Sequence, residues 1–257
     1  MVGAIYAFIG TLFTFLITTL GAANVFFVKQ HRNEDIQKVF LGFAAGVMTA
    51  ASIWSLLIPA TNEAEKNGQI SYIVVPAGFI IGVVILLLLD RFVKKREFEK
   101  LSIKKNTFMM IVAITIHNIP EGMAIGLAFS LAAQNNMDSG LFMGAVCLAI
   151  GIGIQNYPEG AAVALPLKGE GLSRKKAFLL GSMSAVVEPV FGVLAALFAG
   201  LIVPAFPLLL SLAAGTMIYV VVEELIPQAH MSEKDTIGTL GFIVGFLLMM
   251  ILDVAVG

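Results

Sequence analysis

Charge is scarce in this chain. Only 13% of the 257 residues are Asp, Glu, Lys or Arg, whereas 58% are apolar, and the mean hydropathy is +0.94. An ordinary soluble domain carries about 25% charged residues, so the composition excludes that class and indicates a multispan membrane protein. Polar stretches are short as well. None runs much beyond about fifteen residues, too few to bury a core of their own, and a separate soluble domain is not expected. Cysteine is almost absent. Cys147 stands alone, which excludes a disulfide framework or a thiolate metal cluster within one copy. The net charge of −1 gives no ground for a nucleic-acid partner; the distribution of charge along the chain is what informs.

What the chain has instead is long apolar runs. With about 20 residues needed to cross the hydrocarbon core of a lipid bilayer, eight helical spans are expected, at about 3–28, 37–60, 70–93, 107–133, 139–166, 177–200, 205–230 and 237–256. They form one transmembrane domain covering 1–257, an all-α polytopic fold. The first run has no basic residue before it and is too long for the apolar region of a signal peptide, so it is expected to stay as a membrane helix.

Basic residues alternate between the connections. Fifteen of the sixteen fall in connections 1, 3, 5 and 7, and only Lys66 falls on the other side. Cytoplasmic loops retain positive charge, so both termini are expected outside, in the cell membrane, with odd spans running inward.

With directions assigned, internal similarity becomes informative. Span 2 contains Ala44-Ala45-Gly46-Val47-Met48 and ends Leu57-Ile58-Pro59; span 7 contains Ala213-Ala214-Gly215-Thr216-Met217 and ends Leu225-Ile226-Pro227. Span 2 runs outward and span 7 inward. Span 4 carries His117-Asn118-Ile119-Pro120-Glu121-Gly122, and span 5, of opposite direction, carries Gln155-Asn156-Tyr157-Pro158-Glu159-Gly160. Similar segments in opposite orientation predict an inverted-repeat (3+2+3) bundle, an architecture that puts a transporter's substrate site near the midplane.

The paired motif carries the chemistry. His117 and Glu121 are four residues apart and share a helix face, Asn118 flanks it, and Gln155, Asn156 and Glu159 repeat the spacing. Each proline lacks an N–H and is expected to kink its helix and free the carbonyl of Ile116 or Ile154. Counting the rise per residue, His117, Gln155 and Glu188 of span 6 all lie roughly 15 Å deep, near the middle of the bilayer. A carboxylate there costs at least a few kcal/mol, and three that meet also repel one another. No Lys or Arg reaches that depth in these three spans, so the compensation must be protons or a cation. One imidazole, three carboxylates and three carboxamides suit Zn²⁺, Fe²⁺, Mn²⁺ or Cd²⁺ better than Cu⁺. Seven ligands exceed one tetrahedral ion, and a carboxylate-bridged pair of divalent ions would use them all.

A lone histidine in an apolar helix is usually a packing residue, and a lone proline usually only a kink. Duplicated spacing, common depth and uncompensated charge point together to a site instead. Other residues carry less. One of Glu223 and Glu224 could line an exit path, Met48 and Met217 read as filler, Asp90 and Asp253 as interfacial, His31 and His230 as solvated loop residues, and Trp54 and Tyr72 as an outer aromatic belt.

At the paired motif the chain resembles the ZIP (Zrt/Irt-like protein) family of divalent metal transporters, in its compact GufA-like and bacterial branch. The resemblance covers all eight spans. It implies a binuclear centre with one site using His117, Glu121, Gln155 and Glu159 and the other Asn118, Glu121, Asn156, Glu159 and Glu188, the motif glutamates bridging. It also implies zinc as the main cargo, inward transport, a homodimer, and an elevator-like movement of the metal-bearing helices against spans 2, 3, 7 and 8. Many members have His where Gln155 stands, which predicts broader selectivity here, over zinc, cadmium, iron and manganese. The long His-rich loop of many eukaryotic members is absent from connection 3. Two other readings stand beside this one: a proton-coupled carrier of another small solute, and an intramembrane metalloprotease. The second wants a pairing such as His-Glu-x-x-His, which the sequence lacks, so an enzyme is not expected.

Overall fold

The computed structural model describes residues 1–27, 34–94, 105–229 and 236–256. His31, His230 and the basic residues between 95 and 104 lie outside the described residues. Among the described residues, eight helices are long and apolar enough to cross a membrane: α1 (Val2–Phe27), α2 (Lys38–Lys66), α3 (Ser71–Phe92), α4 (Thr107–Gln134), α5 (Ser139–Gly169), α6 (Arg174–Leu197), α7 (Ala199–Gln228) and α8 (Ile237–Ala255). The fold is all-α and polytopic.

Which side chains face out follows from the bilayer as solvent. Large apolar residues such as Leu16, Leu20, Ile73, Ile80, Leu88, Leu240, Val244 and Ile251 are exposed. Small residues fill the interior, where Ala44, Ala45, Ala50, Ala51, Ala213 and Ala214 are buried. Helices in lipid gain little from hiding leucine, and small residues let their backbones meet. Accordingly α3 and α8, rich in large side chains, are peripheral, while α2, α4 and α7 are the more buried.

Packing divides the helices into two sets. In one, α1 lies along α5 and α4 along α6, with α1 also against α4 and α6; in the other, α2 lies along α8 and α3 along α7. The sets meet where α4 touches α7 and α2 touches α5. Exchanging α1 with α6, α2 with α7, α3 with α8 and α4 with α5 maps α1–α5 onto α6–α4, α2–α8 onto α7–α3, α4–α7 onto α5–α2, and α1–α4 onto the packing of α6 against α5, while α1–α6 maps onto itself. That is the relation expected of inverted repeats.

The repeat extends to helix geometry. A wide π-helical turn occupies Ser52–Leu57 in α2 and Val221–Leu225 in α7. Each starts four residues after the methionine of Ala-Ala-Gly-x-Met and ends at the leucine of Leu-Ile-Pro. In an α-helix the rings of Pro59 and Pro227 would strike the carbonyls of Ser55 and Glu223, and the wider turn relieves that clash. Gly46 lets the α8 backbone at Phe242 approach α2, and Gly215 does the same for the α3 backbone at Phe79.

Candidate metal centre

The two Asn-x-Pro-Glu-Gly motifs lie inside α4 and α5, both of which run as continuous helix through Pro120 and Pro158. Continuity keeps His117 one turn before Glu121, and Gln155 one turn before Glu159. Gly122 and Gly160, directly after the glutamates, let the neighbouring backbones come close. The α6 backbone at Glu188 lies against Gly122, and the α1 backbone at Thr18 lies against Gly160.

α6 behaves differently from its expected continuous course. It is helical over Arg174–Met183 and again over Val187–Leu197, with a turn between. Pro189 cannot donate to the carbonyl four residues earlier, at Ala185, and the Ser184 hydroxyl donates back to Gly181 O at 2.8 Å. Glu188 thus stands in the first turn of the second segment, where unpaired N–H groups favour a carboxylate.

His117, Asn118, Glu121, Gln155, Asn156, Glu159 and Glu188 are all buried. Four of them are in mutual contact. His117 Nε2 lies 3.0 Å from Glu121 Oε1 and 3.5 Å from Glu159 Oε1. The Gln155 amide lies 3.3 Å from His117 Nε2, donates to Glu159 Oε1 at 3.4 Å, and donates to Glu121. Ligand atoms of His117, Glu121 and Glu159 lie within 4.8 Å of one another, close enough to hold one divalent ion. Rotating the Gln155 carboxamide would present its oxygen to the same place.

The other three are arranged around this group. Asn118 Nδ2 donates to Ser184 O at 3.1 Å, capping the break in α6. Asn156 Nδ2 donates to Glu188 Oε1 at 2.8 Å, and Glu188 is within electrostatic reach of Glu121 and Glu159.

Six buried atoms in this group lack a hydrogen-bond partner: His117 Nδ1, Asn118 Oδ1, Glu121 Oε2, Gln155 Oε1, Asn156 Oδ1 and Glu159 Oε2. Each unsatisfied buried polar group costs about 1–3 kcal/mol. Five are oxygens, and a concentration of unsatisfied oxygens beside two carboxylates is a surface made for a cation.

Residues given less weight in the sequence take varied positions. Glu224 is buried and Glu223 exposed on the π-helical turn of α7. Met48 and Met217 pack in the core, and the Ser52 hydroxyl lies 2.8 Å from the Met217 sulfur. Asp90, expected at the interface, is buried. Tyr72 is exposed, whereas Trp54 is half-buried, edge-on to Phe246 with ring centres 5.8 Å apart. Asp253 accepts from the Ser55 hydroxyl at 2.8 Å, joining α8 to α2 beside a cavity of about 290 Å³ that also borders Cys147. Thr14, which sequence reasoning passed over, donates to Glu188. The signal for it was a run of threonines at 11, 14 and 18, spaced to share one face of an otherwise apolar helix.

Comparison with known proteins identifies the family. A family model described as "ZIP Zinc transporter" matches residues 94–253. The chain is 34% identical to "Zinc transporter ZIP11" of Xenopus tropicalis, over 97% of this chain and 96% of that protein. It is 36% identical to "Zinc transporter ZIPB" of Bordetella bronchiseptica, over 98% of this chain and 82% of the relative, and 30% identical to "Zinc transporter GufA" of Myxococcus xanthus, over 93% and 94%. Animal and bacterial branches are matched alike. The chain belongs to the ZIP family of zinc transporters, a family of carriers and not of enzymes.

Proposed function

We propose that this protein carries divalent transition-metal ions, zinc foremost and cadmium, iron and manganese with it, across a cell membrane toward the cytoplasm. The observation that carries the reading is the set of five unpartnered buried oxygens, on Asn118, Glu121, Gln155, Asn156 and Glu159, beside the His117 Nε2 that faces the two glutamates. Apolar surroundings do not tolerate such a set without protons or a cation to compensate it, and an imidazole among carboxylates and carboxamides suits a divalent metal.

In this reading the ion is cargo. One ion is held by His117, Glu121, Gln155 and Glu159, and a second by Asn118, Glu121, Asn156, Glu159 and Glu188, with Glu121 and Glu159 bridging. A resident lysine or arginine would lock such a site. Its charge is instead completed by each passing ion, so that affinity is high enough to strip water and the ion can still leave. The chain acts as one transmembrane unit over 1–257 with both termini outside, in the compact GufA-like manner, and pairs as a homodimer.

The test is zinc uptake into proteoliposomes, with elemental analysis of the purified protein. Wild type takes up zinc and retains it stoichiometrically; Glu121→Ala and Glu159→Ala fall to background in both while remaining monodisperse. Undiminished uptake by correctly inserted Glu159→Ala would sink the mechanism. Transport of another solute with no bound metal would favour the proton-coupled carrier.

A further inference from the structure

Glu188 differs from the other six candidate ligands, because both of its carboxylate oxygens have partners. Oε1 accepts from Asn156 Nδ2 at 2.8 Å, and Oε2 accepts from the hydroxyl of Thr14. Thr14 is on α1, a helix that supplies none of the seven ligands, and it is fully buried.

Its neighbours show what an ordinary threonine does on this helix. Thr11 Oγ1 donates to Ala7 O at 2.7 Å, and Thr18 Oγ1 donates to Thr14 O at 3.2 Å, each bonding within α1. Thr14 has the same option, with Thr11 O at 3.0 Å. A hydroxyl has one hydrogen and two acceptor lone pairs, so Thr14 cannot donate fully to both. An ionised carboxylate is the stronger acceptor. The close seating of α1 on α6, where Thr11 lies against Gly192, keeps the hydroxyl within reach.

The consequence reaches Asn156. Its NH2 donates to Glu188, and its oxygen is the atom left without a partner. A carboxamide can turn over and exchange oxygen for nitrogen at little cost, and only the oxygen can ligate a cation. A fixed Glu188 therefore decides which end of Asn156 is presented.

We propose that Thr14 is a positioning residue for the metal site: its hydroxyl fixes Glu188, and Glu188 fixes the Asn156 carboxamide with its oxygen available to the ion. This rests on the metal-site reading above. The three residues of the relay stand on α1, α6 and α5.

The experiment measures Zn²⁺ affinity by equilibrium dialysis, and the KM and maximal rate of zinc uptake, for wild type, Thr14→Val, Thr14→Ser, Glu188→Ala and Thr14→Val/Glu188→Ala. A lost hydrogen bond to a charged group corresponds to a change on the order of tenfold. Thr14→Val is expected to weaken zinc binding and raise KM by that factor, Thr14→Ser to restore both, and Thr14→Val to add nothing once Glu188 is Ala. Wild-type affinity in Thr14→Val would overturn the inference while leaving the metal site intact. Equal losses in the Val and Ser variants would also overturn it, since packing and not the hydroxyl would then be responsible. Failure of wild type itself to bind zinc would remove the underlying reading and the inference with it.

Discussion

A Cβ built on Gly122 would stand 2.5 Å from the carbonyl oxygen of Glu188 and 2.7 Å from its Cα. No carbon tolerates contacts that short, and the obstacle is backbone, so the second segment of α6 would have to move away. The glycine after the motif glutamate therefore sets how close Glu188 comes to Glu121. Gly122→Ala should lower stability by about 1–3 kcal/mol, the usual cost of overpacking, and weaken zinc uptake by drawing Glu188 away from its neighbours. Thermal unfolding in detergent together with uptake checks it. An unchanged melting temperature would show that α6 is not held against α4.

Zinc should stabilise the folded protein. An ion that binds only the native state adds about 2.7 kcal/mol at a hundredfold excess over its dissociation constant. The melting temperature is expected to rise on adding zinc and to fall back with chelator. In Glu121→Ala the rise should vanish, and the zinc-induced shift is the quantity to compare, because removing Glu121 also leaves His117 and the Gln155 amide short of a partner in the metal-free protein. A zinc-dependent rise that persists in Glu121→Ala would place the ion elsewhere.

Gln155 is expected to bear on selectivity. It contacts His117, Glu121 and Glu159, and a carboxamide oxygen is a weaker ligand for zinc than an imidazole nitrogen. Gln155→His should raise the preference for zinc over manganese several-fold. Competition uptake with both metals present measures it, and an unchanged ratio would count against a selectivity role.

Much of the architecture was legible because lipid imposes a strict pattern. A span needs about 20 apolar residues, and a charge inside one is conspicuous, so the eight helices and the polar residues within them could be counted. The duplicated segments were legible for the same reason, since Ala-Ala-Gly-x-Met and Leu-Ile-Pro recur as letters. Their consequence, paired π-helical turns at matching places, was not. Proline predicts strain in the turn before it, but whether a helix widens, as at Ser52–Leu57 and Val221–Leu225, breaks, as before Pro189, or continues, as through Pro120 and Pro158, depends on what its neighbours allow.

The sequence by itself determined that this is an eight-helix membrane protein with two related motifs, and that His117, Glu121 and Glu159 carry polar groups that apolar helices cannot neutralise. Periodicity and hydropathy suffice for that, because they are local. Tertiary structure decided which of these groups touch and which residues outside the motifs hold them. Thr14 lies 174 positions from Glu188 along the chain, and Asp253 is 198 from Ser55. Such pairs form only because small residues let the helix backbones meet, and no local pattern encodes the partner across that gap.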